Sequence, residues 1–219
     1  MANTSAPMGF KQFGRREGGA PTAGFDRKYI SSGYTCPVFT GDTVNRSTTA
    51  PYIVSAGSTA GGVANGITTL IEGVFLGCKY YNTNVGRTVW NSYWPGSGAS
   101  GDVEAYVCTD PEQQYIVQGS TGGVLGSSVV GFMVPMSITN SSLGNTLSGQ
   151  SVMTVQSSLV TGLSSNGQFQ IVDIYSNYAP PGVNGTSTGS EGLQIVVVQP
   201  NLSYRRTLIG GVSPTIFST

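Results

Sequence analysis

Residues 101–119 form two β-rich runs on either side of Asp110-Pro111. In the first run Val103, Ala105 and Val107 alternate with polar and aromatic residues, which is the period of an extended strand with two different faces. Proline fixes φ and aspartate caps a turn through its side chain, so Asp110-Pro111 indicates a turn. A Tyr-Ile-Val run then resumes the β-rich pattern. The segment predicts the central β-hairpin of an all-β domain, and it carries no chemistry of its own.

Glycine and proline punctuate the rest of the chain. There are 32 glycines and 11 prolines in 219 residues, and no long window spaces its apolar residues at helical intervals. This combination favours many short strands joined by tight turns. We therefore expect an all-β fold: a small β-barrel or sandwich-like body of short antiparallel strands over residues 29–199. Extended arms are expected at both ends, an N-terminal arm over residues 1–28 and a C-terminal tail over residues 200–219.

Residues 68–81 are the most convincing strand region. This run contains Gly73 and Gly77 among apolar and aromatic residues. Glycines inside a strand usually mark a bulge or a sharp bend, which small barrels need at their corners. We expect such a feature here.

Two further regions predict strands in the second half of the chain. Residues 129–138 are rich in valine and methionine but contain Pro135, which predicts an edge strand or a bend because proline cannot donate to a sheet ladder. Residues 169–175 and 193–198 are apolar runs separated by a long Gly- and Pro-rich segment. They predict a second large hairpin.

Charged residues are scarce and unevenly placed. They make up only 9% of the chain, with a net charge of zero, against roughly 25% in ordinary soluble domains. So few charges protect a lone monomer poorly from association. The composition therefore favours a surface covered by protein partners over one covered by Ser, Thr, Asn and Gln. Half of the basic residues lie within the first 28 positions: Lys11, Arg15, Arg16, Arg27 and Lys28.

The N-terminal region combines these cations with aromatic residues spaced between glycines. A disordered tail would be poorer in aromatics, so we interpret the region as an arm that lies extended on another protein. Phe10, Phe13, Arg15 and Arg16 are its candidate anchors. The alternative is a tail whose aromatics fold back onto their own domain. A nucleic-acid-binding arm is disfavoured, because five positive charges are few and no basic face accompanies them.

Catalytic and cofactor motifs are absent from the sequence. The chain has no histidine, which excludes Ser-His-Asp and Cys-His arrangements and argues against a zinc site. We expect no enzyme activity, no cofactor and no metal. The carboxylate pairs Asp102/Glu104 and Asp110/Glu112 resemble strand-edge and turn residues more than a glycosidase pair. Three cysteines lack C-x-x-C spacing and are expected to be small buried hydrophobes or free thiols, with a disulfide left open: Cys36, Cys78 and Cys108.

Trp90, Tyr93 and Trp94 are close in sequence and are expected to form an aromatic cluster. Such a cluster is more often part of a core or an interface than a carbohydrate platform. The N-terminus lacks the basic and apolar regions of a signal peptide, and no apolar run is long enough for a membrane span. We expect synthesis in a reducing cytoplasm and no membrane partner.

The N-terminal decapeptide, Met-Ala-Asn-Thr-Ser-Ala-Pro-Met-Gly-Phe, resembles the start of a family of head decoration, or cement, proteins of tailed bacteriophages. Three further blocks fit the same family: residues 29–32 with 38–42, residues 106–111, and residues 163–173 with 193–198.

The resemblance implies a viral structural protein on the outer capsid surface of the virion, made in the host cytoplasm. Family members bind across adjoining major capsid subunits, commonly as homotrimers, and stabilise the head. The family offers no catalytic residues to carry over. Two other classes stay open: a self-assembling viral coat protein, and a carbohydrate-binding module that uses the aromatic cluster.

Overall fold

The computed structural model describes residues 6–16, 18, 24–49, 51–57, 70–120, 125, 127–137, 144–157, 167–175 and 193–203. Within these ranges the protein is all-β, which confirms the expected fold class, with one turn of 3-10 helix at Ser127–Val129 and no α-helix. The strands are β1 (Lys11–Arg15), β2 (Asp26–Ile30), β3 (Val38–Phe39), β4 (Thr43–Arg46), β5 (Ile53–Ser55), β6 (Gly73–Asn82), β7 (Arg87–Asn91), β8 (Tyr93–Trp94), β9 (Val103–Cys108), β10 (Gln113–Gln118), β11 (Met133–Val134), β12 (Met136–Ser137), β13 (Gly144–Asn145), β14 (Gln150–Ser151), β15 (Thr154–Val155), β16 (Phe169–Ile174) and β17 (Ile195–Pro200).

Two antiparallel sheets form the body. The six-stranded sheet has five strands in the order β2-β9-β6-β4-β5. Its sixth strand, β7, pairs with the C-terminal half of β6. The five-stranded sheet has the order β1-β10-β17-β16-β11. Three short ladders, β3-β8, β12-β15 and β13-β14, accompany these sheets. The result is a sandwich-like body built from short strands.

The six-stranded sheet contributes to two hydrophobic cores. Val74 and Cys108 on one of its faces pack with residues of the five-stranded sheet, such as Tyr115 and Val198. Val103, Ala105 and Val107, which the alternation places together, pack on the other face in the second core with Trp94. Each fully buried valine among them, such as Val103 or Val198, contributes about 1.5–3 kcal/mol through removal of apolar surface from water.

The predicted hairpin over residues 101–119 is wrong, although both of its strands and its turn are present. β9 pairs with β2 on one side and β6 on the other, so no edge is left for β10. β10 instead pairs with β1 and β17 in the other sheet. The Glu112 amide donates to the Asp110 carboxylate at 2.9 Å, and the Gln113 amide donates to the Asp110 carbonyl at 3.2 Å. This turn therefore carries the chain from one sheet to the other.

Of the two glycines of β6, Gly77 lies at the predicted bulge, whereas Gly73 has a different role. The register between β6 and β9 shifts between Phe75 and Gly77, where Gly77 has φ +151°. At Gly73 a Cβ atom would collide with the carbonyl oxygen of Cys108. The first glycine permits close approach of two strands, and the second forms the bulge.

The two predictions for the second half of the chain are also confirmed. Pro135 separates β11, at the edge of the five-stranded sheet, from β12, which pairs with β15. β16 and β17 pair antiparallel, with a bulge between Ile171 and Asp173.

The N-terminal boundary predicted at residue 28 is not a structural boundary. β1 is a strand of the five-stranded sheet, and residue 28 lies in the middle of β2. At the other end the body continues past residue 200, because Ser203 forms a β-bridge with Ile71. Residues 1–5 and 204–219 lie outside the described part. Within the described part, no helix is long and apolar enough to cross a membrane.

Candidate binding surfaces

Phe10 is a core residue rather than an exposed anchor, so this part of the anchor prediction is wrong. Its side chain is 2% exposed and stacks on Phe169, with ring centroids 4.4 Å apart. Its amide donates to the carbonyl oxygen of Gly41 at 2.9 Å. The Phe10 ring, which was predicted to contact a partner protein, packs inside its own chain instead.

The other three predicted anchors lie at one edge of the five-stranded sheet. Phe13 is 47% exposed and contacts Tyr175 edge-to-face, with ring centroids 5.7 Å apart. The Arg15 guanidinium lies 3.1 Å from the Asp110 carboxylate. Arg16 is exposed, and its amide donates to the carbonyl of Glu112.

β1 is the outermost strand at this edge. It pairs with β10 on one side, and no other described strand pairs with it. An edge strand presents backbone donors and acceptors that a strand from another protein can use. Phe13 and Arg16 thus lie at a backbone edge that is open in the described part of the chain.

Trp90, Tyr93 and Trp94 do not form one cluster, so the aromatic-cluster prediction is wrong. Trp94 is completely buried, and its indole N–H donates to the Tyr34 carbonyl at 3.1 Å. Tyr93 stacks on Phe39 with ring centroids 5.2 Å apart. Trp90 is 68% exposed. The three side chains differ in burial because they lie on different strands. Trp90 lies on β7, which pairs with β6, whereas Tyr93 and Trp94 lie on β8, which pairs with β3.

Trp90 belongs to a different group, which we call the aromatic face. It lies on the same face of the six-stranded sheet as Val74 and Cys108, in the half of that face that the five-stranded sheet leaves uncovered. Its larger side chains are exposed or partly exposed, except Tyr106, which lies beneath Trp90. The aromatic face comprises Arg27, Tyr29, Lys79, Tyr81, Trp90, Glu104 and Tyr106, with Phe25 at its rim.

Contacts within the aromatic face hold Trp90 in place. Its ring stacks on Tyr106 with centroids 5.2 Å apart and planes 4° from parallel. The Lys79 ammonium lies 5.3 Å from the centroid of the Trp90 ring. Phe25 contacts Tyr106 edge-to-face at 4.9 Å. Tyr29, Tyr81 and Tyr106 were not predicted as site residues, although the alternation on β9 places Tyr106 and Glu104 on one face of the strand.

Charges on the aromatic face are engaged within it. The Arg27 guanidinium lies 3.6 Å from Glu104, and the Tyr106 hydroxyl donates to Glu104 at 3.1 Å. Desolvation and this hydrogen bond together raise the pKa of Tyr106. At the rim, Asp102 accepts hydrogen bonds from the Tyr52 hydroxyl at 2.9 Å and the Ser32 amide at 3.3 Å. Glu104 and Asp102 therefore have structural partners.

Two buried carboxylates lie elsewhere in the body. Asp42 accepts the Phe39 amide at 2.8 Å, and burial raises its pKa to about 7. Glu72 lies 2.6 Å from both the Lys28 ammonium and the Arg46 guanidinium. Burial alone would raise the pKa of Glu72, but the hydrogen bonds and charges of these two cations outweigh it and lower the pKa.

Neither carboxylate belongs to a group that could hold a metal, since the described ranges contain no cluster of three or more Cys, Asp or Glu side chains of that kind. The second predicted carboxylate pair is engaged as well: Asp110 pairs with Arg15, and the Glu112 carboxylate accepts a hydrogen bond from the Gln199 side-chain Nε2 at 2.9 Å. All three cysteines are free thiols. Cys78 and Cys108 are buried, and burial raises the pKa of Cys78 to about 12.

Comparison with known proteins adds no identification. No protein-family model matches the sequence, and no curated protein and no solved structure gives a significant match. The surfaces described above are therefore the basis for a functional proposal.

Proposed function

We propose that this protein is a capsid decoration, or cement, protein of a tailed bacteriophage. In this proposal it binds the outer surface of the phage head across adjoining major capsid subunits, as a homotrimer made in the host cytoplasm. The observation that carries the proposal is the open edge of β1, with Phe13 and Arg16 exposed beside it. The scarcity of charge and the N-terminal resemblance support it.

The contact to the capsid is made by this edge rather than by a free arm. A strand of a capsid subunit that pairs with β1 would gain backbone hydrogen bonds, and Phe13 would supply an apolar anchor. A protein that binds only the assembled shell stabilises the shell by mass action. A trimer presents three such edges, so each contact raises the effective concentration of the next.

The test is co-sedimentation of the purified chain with undecorated phage capsids, after light scattering of the chain alone. We expect a discrete trimer that sediments with capsids. The double variant Phe13→Ala/Arg16→Glu should lose at least tenfold in capsid occupancy. Its matched control is Val85→Ala/Arg87→Glu in the β6–β7 turn region, where both residues are also exposed.

Other outcomes would overturn parts of this proposal. Unchanged occupancy of the β1 double variant would remove the edge from the contact, and a chain that ignores capsids would refute the decoration role. A closed shell formed by the chain alone would identify a self-assembling coat protein.

A further inference from the structure

The aromatic face contains a row of four side chains that crosses four strands. Tyr29 on β2 is opposite Glu104 on β9, Glu104 is opposite Lys79 on β6, and Lys79 is opposite Trp90 on β7. Three strand-to-strand steps of about 4.8 Å separate the ends of the row by roughly 14 Å. Exposed aromatic residues therefore stand at both ends of the row, and two residues of opposite charge, Lys79 and Glu104, stand in the middle.

The Trp90 ring at one end of the row is already fixed in position before a ligand binds. Two rings that are 4° from parallel with centroids 5.2 Å apart are stacked with an offset, so Tyr106 supports one face of the indole. The side chain is nevertheless 68% exposed. Binding of a ligand on Trp90 costs little additional entropy of the Trp90 side chain, because its ring is already positioned.

The chemistry of the row matches a sugar chain. Pyranose rings present C–H groups that stack on aromatic faces, and their hydroxyls both donate and accept hydrogen bonds. Trp90 and Tyr29 supply the aromatic faces, while Lys79 and Glu104 supply a donor and an acceptor between them. A protein partner would have to bury these two central charged side chains, and interface centres are depleted of such residues.

The charge of the face selects a neutral chain. Arg27 is paired with Glu104 at 3.6 Å, and Lys79 lies against the Trp90 ring. These are the two cations of the aromatic face as the described residues define it, and they do not form the basic cluster that sulfate or phosphate groups require.

We propose that the aromatic face binds a neutral oligosaccharide of about three units or more, laid across the strands from Tyr29 to Trp90. This is a second binding activity. It does not depend on the decoration role, because the β1 edge belongs to the other sheet.

The test uses the purified full chain and a panel of neutral hexasaccharides: malto-, cello-, xylo-, manno- and chitohexaose. Tryptophan fluorescence reports on binding, since Trp90 is exposed while Trp94 is buried and hydrogen-bonded. We expect saturable binding of at least one hexasaccharide, tighter than the matching monosaccharide. Calorimetry should show at least a tenfold loss of affinity for Trp90→Ala and a severalfold loss for Tyr29→Ala.

Phe13→Ala is the matched control, because it removes an exposed aromatic residue from the other sheet and should leave glycan affinity unchanged. Conversely, Trp90→Ala should leave capsid occupancy unchanged, so the two proposals can fail separately. The glycan proposal is refuted if no neutral hexasaccharide binds, if Trp90→Ala and Tyr29→Ala bind as tightly as the natural chain, or if heparin oligosaccharides, included as an anionic comparison, are the only ones that bind. Loss of capsid occupancy in Trp90→Ala without glycan binding would assign the face to the capsid instead.

Discussion

Phe10 stacks on Phe169 with planes 18° from parallel and ring centroids 4.4 Å apart. The contact joins the N-terminal segment to β16, a strand of the five-stranded sheet from the C-terminal part of the chain. Tyr115 completes the contact edge-to-face at 6.4 Å. The N-terminal segment is held by this buried aromatic group as well as by the β1–β10 hydrogen bonds.

The first prediction concerns Phe10. Phe10→Ala should lower the free energy of unfolding by about 3–5 kcal/mol, because it leaves a cavity against Phe169. Urea denaturation measures this loss. Phe13→Ala is the control and should cost less than about 1 kcal/mol, since its ring is half exposed. Equal losses for the two variants would contradict the burial that separates them.

The second prediction concerns the pH dependence that Asp42 imposes. Burial raises its pKa from 3.8 to about 7 in the folded state, so the folded chain holds this proton more tightly than the unfolded chain. The resulting stabilisation is fully present below pH 3.8 and is lost as the pH rises through about 7. Asp42→Asn keeps a neutral side chain at every pH. The variant should therefore gain stability relative to the natural chain between pH 4 and pH 8, by at most about 4 kcal/mol.

Denaturant midpoints at several pH values measure this change, and the comparison across pH cancels any constant effect of the new amide. A difference between the two proteins that stays constant over that range would show that Asp42 does not titrate there.

The third prediction concerns Glu72, whose pH dependence has the opposite sign. Lys28 and Arg46 lower its pKa below the ordinary value of 4.5, so its stabilisation is present above that value and is lost as the pH falls further. Glu72→Gln should cost about 2–4 kcal/mol at pH 7, because it leaves two cations without their shared carboxylate. The cost should shrink below about pH 4.

Glu104→Gln is the matched control for Glu72→Gln. Arg27 is largely exposed and lies 3.6 Å from Glu104, and exposed pairs contribute about 1 kcal/mol or less. Thermal or urea denaturation of both variants at pH 7 tests the difference. Similar losses would mean that the burial of Glu72 does not strengthen its pairing.

Strands such as β6, β9 and β16 were predictable from the sequence, but apart from the pairing of β16 with β17 their neighbours were not. Alternation over β9 correctly placed Val103, Ala105 and Val107 on one face, because the side-chain period of a strand is two. That pattern contains no information about which strand lies alongside. The turn at Asp110 looked like a hairpin turn because aspartate and proline favour any chain reversal, including one that passes between two sheets.

The candidate surfaces show the same limit. Phe10 and Phe13 have similar local sequences, yet one is buried and the other exposed, because the ring that packs on Phe10 comes from β16. Trp90 and Trp94 likewise differ in burial, since Trp94 packs in a core and Trp90 is exposed on a sheet face. The sequence does not reveal which part of a sheet face another layer covers. Burial was decided by partners distant in the chain, which short-range patterns do not specify.

The turn between β9 and β10 marks the point in synthesis at which every strand of the six-stranded sheet has been made. Every strand of the six-stranded sheet lies within residues 26–108, so this sheet can form as soon as that segment leaves the ribosome. The five-stranded sheet has to wait for β16 and β17, which are synthesised late. Until then Phe10 has no Phe169 to pack on, so the nascent chain exposes an apolar aromatic side chain near its N-terminus. In that interval a neighbouring copy can capture the segment, which makes the concentration of growing chains a determinant of correct folding.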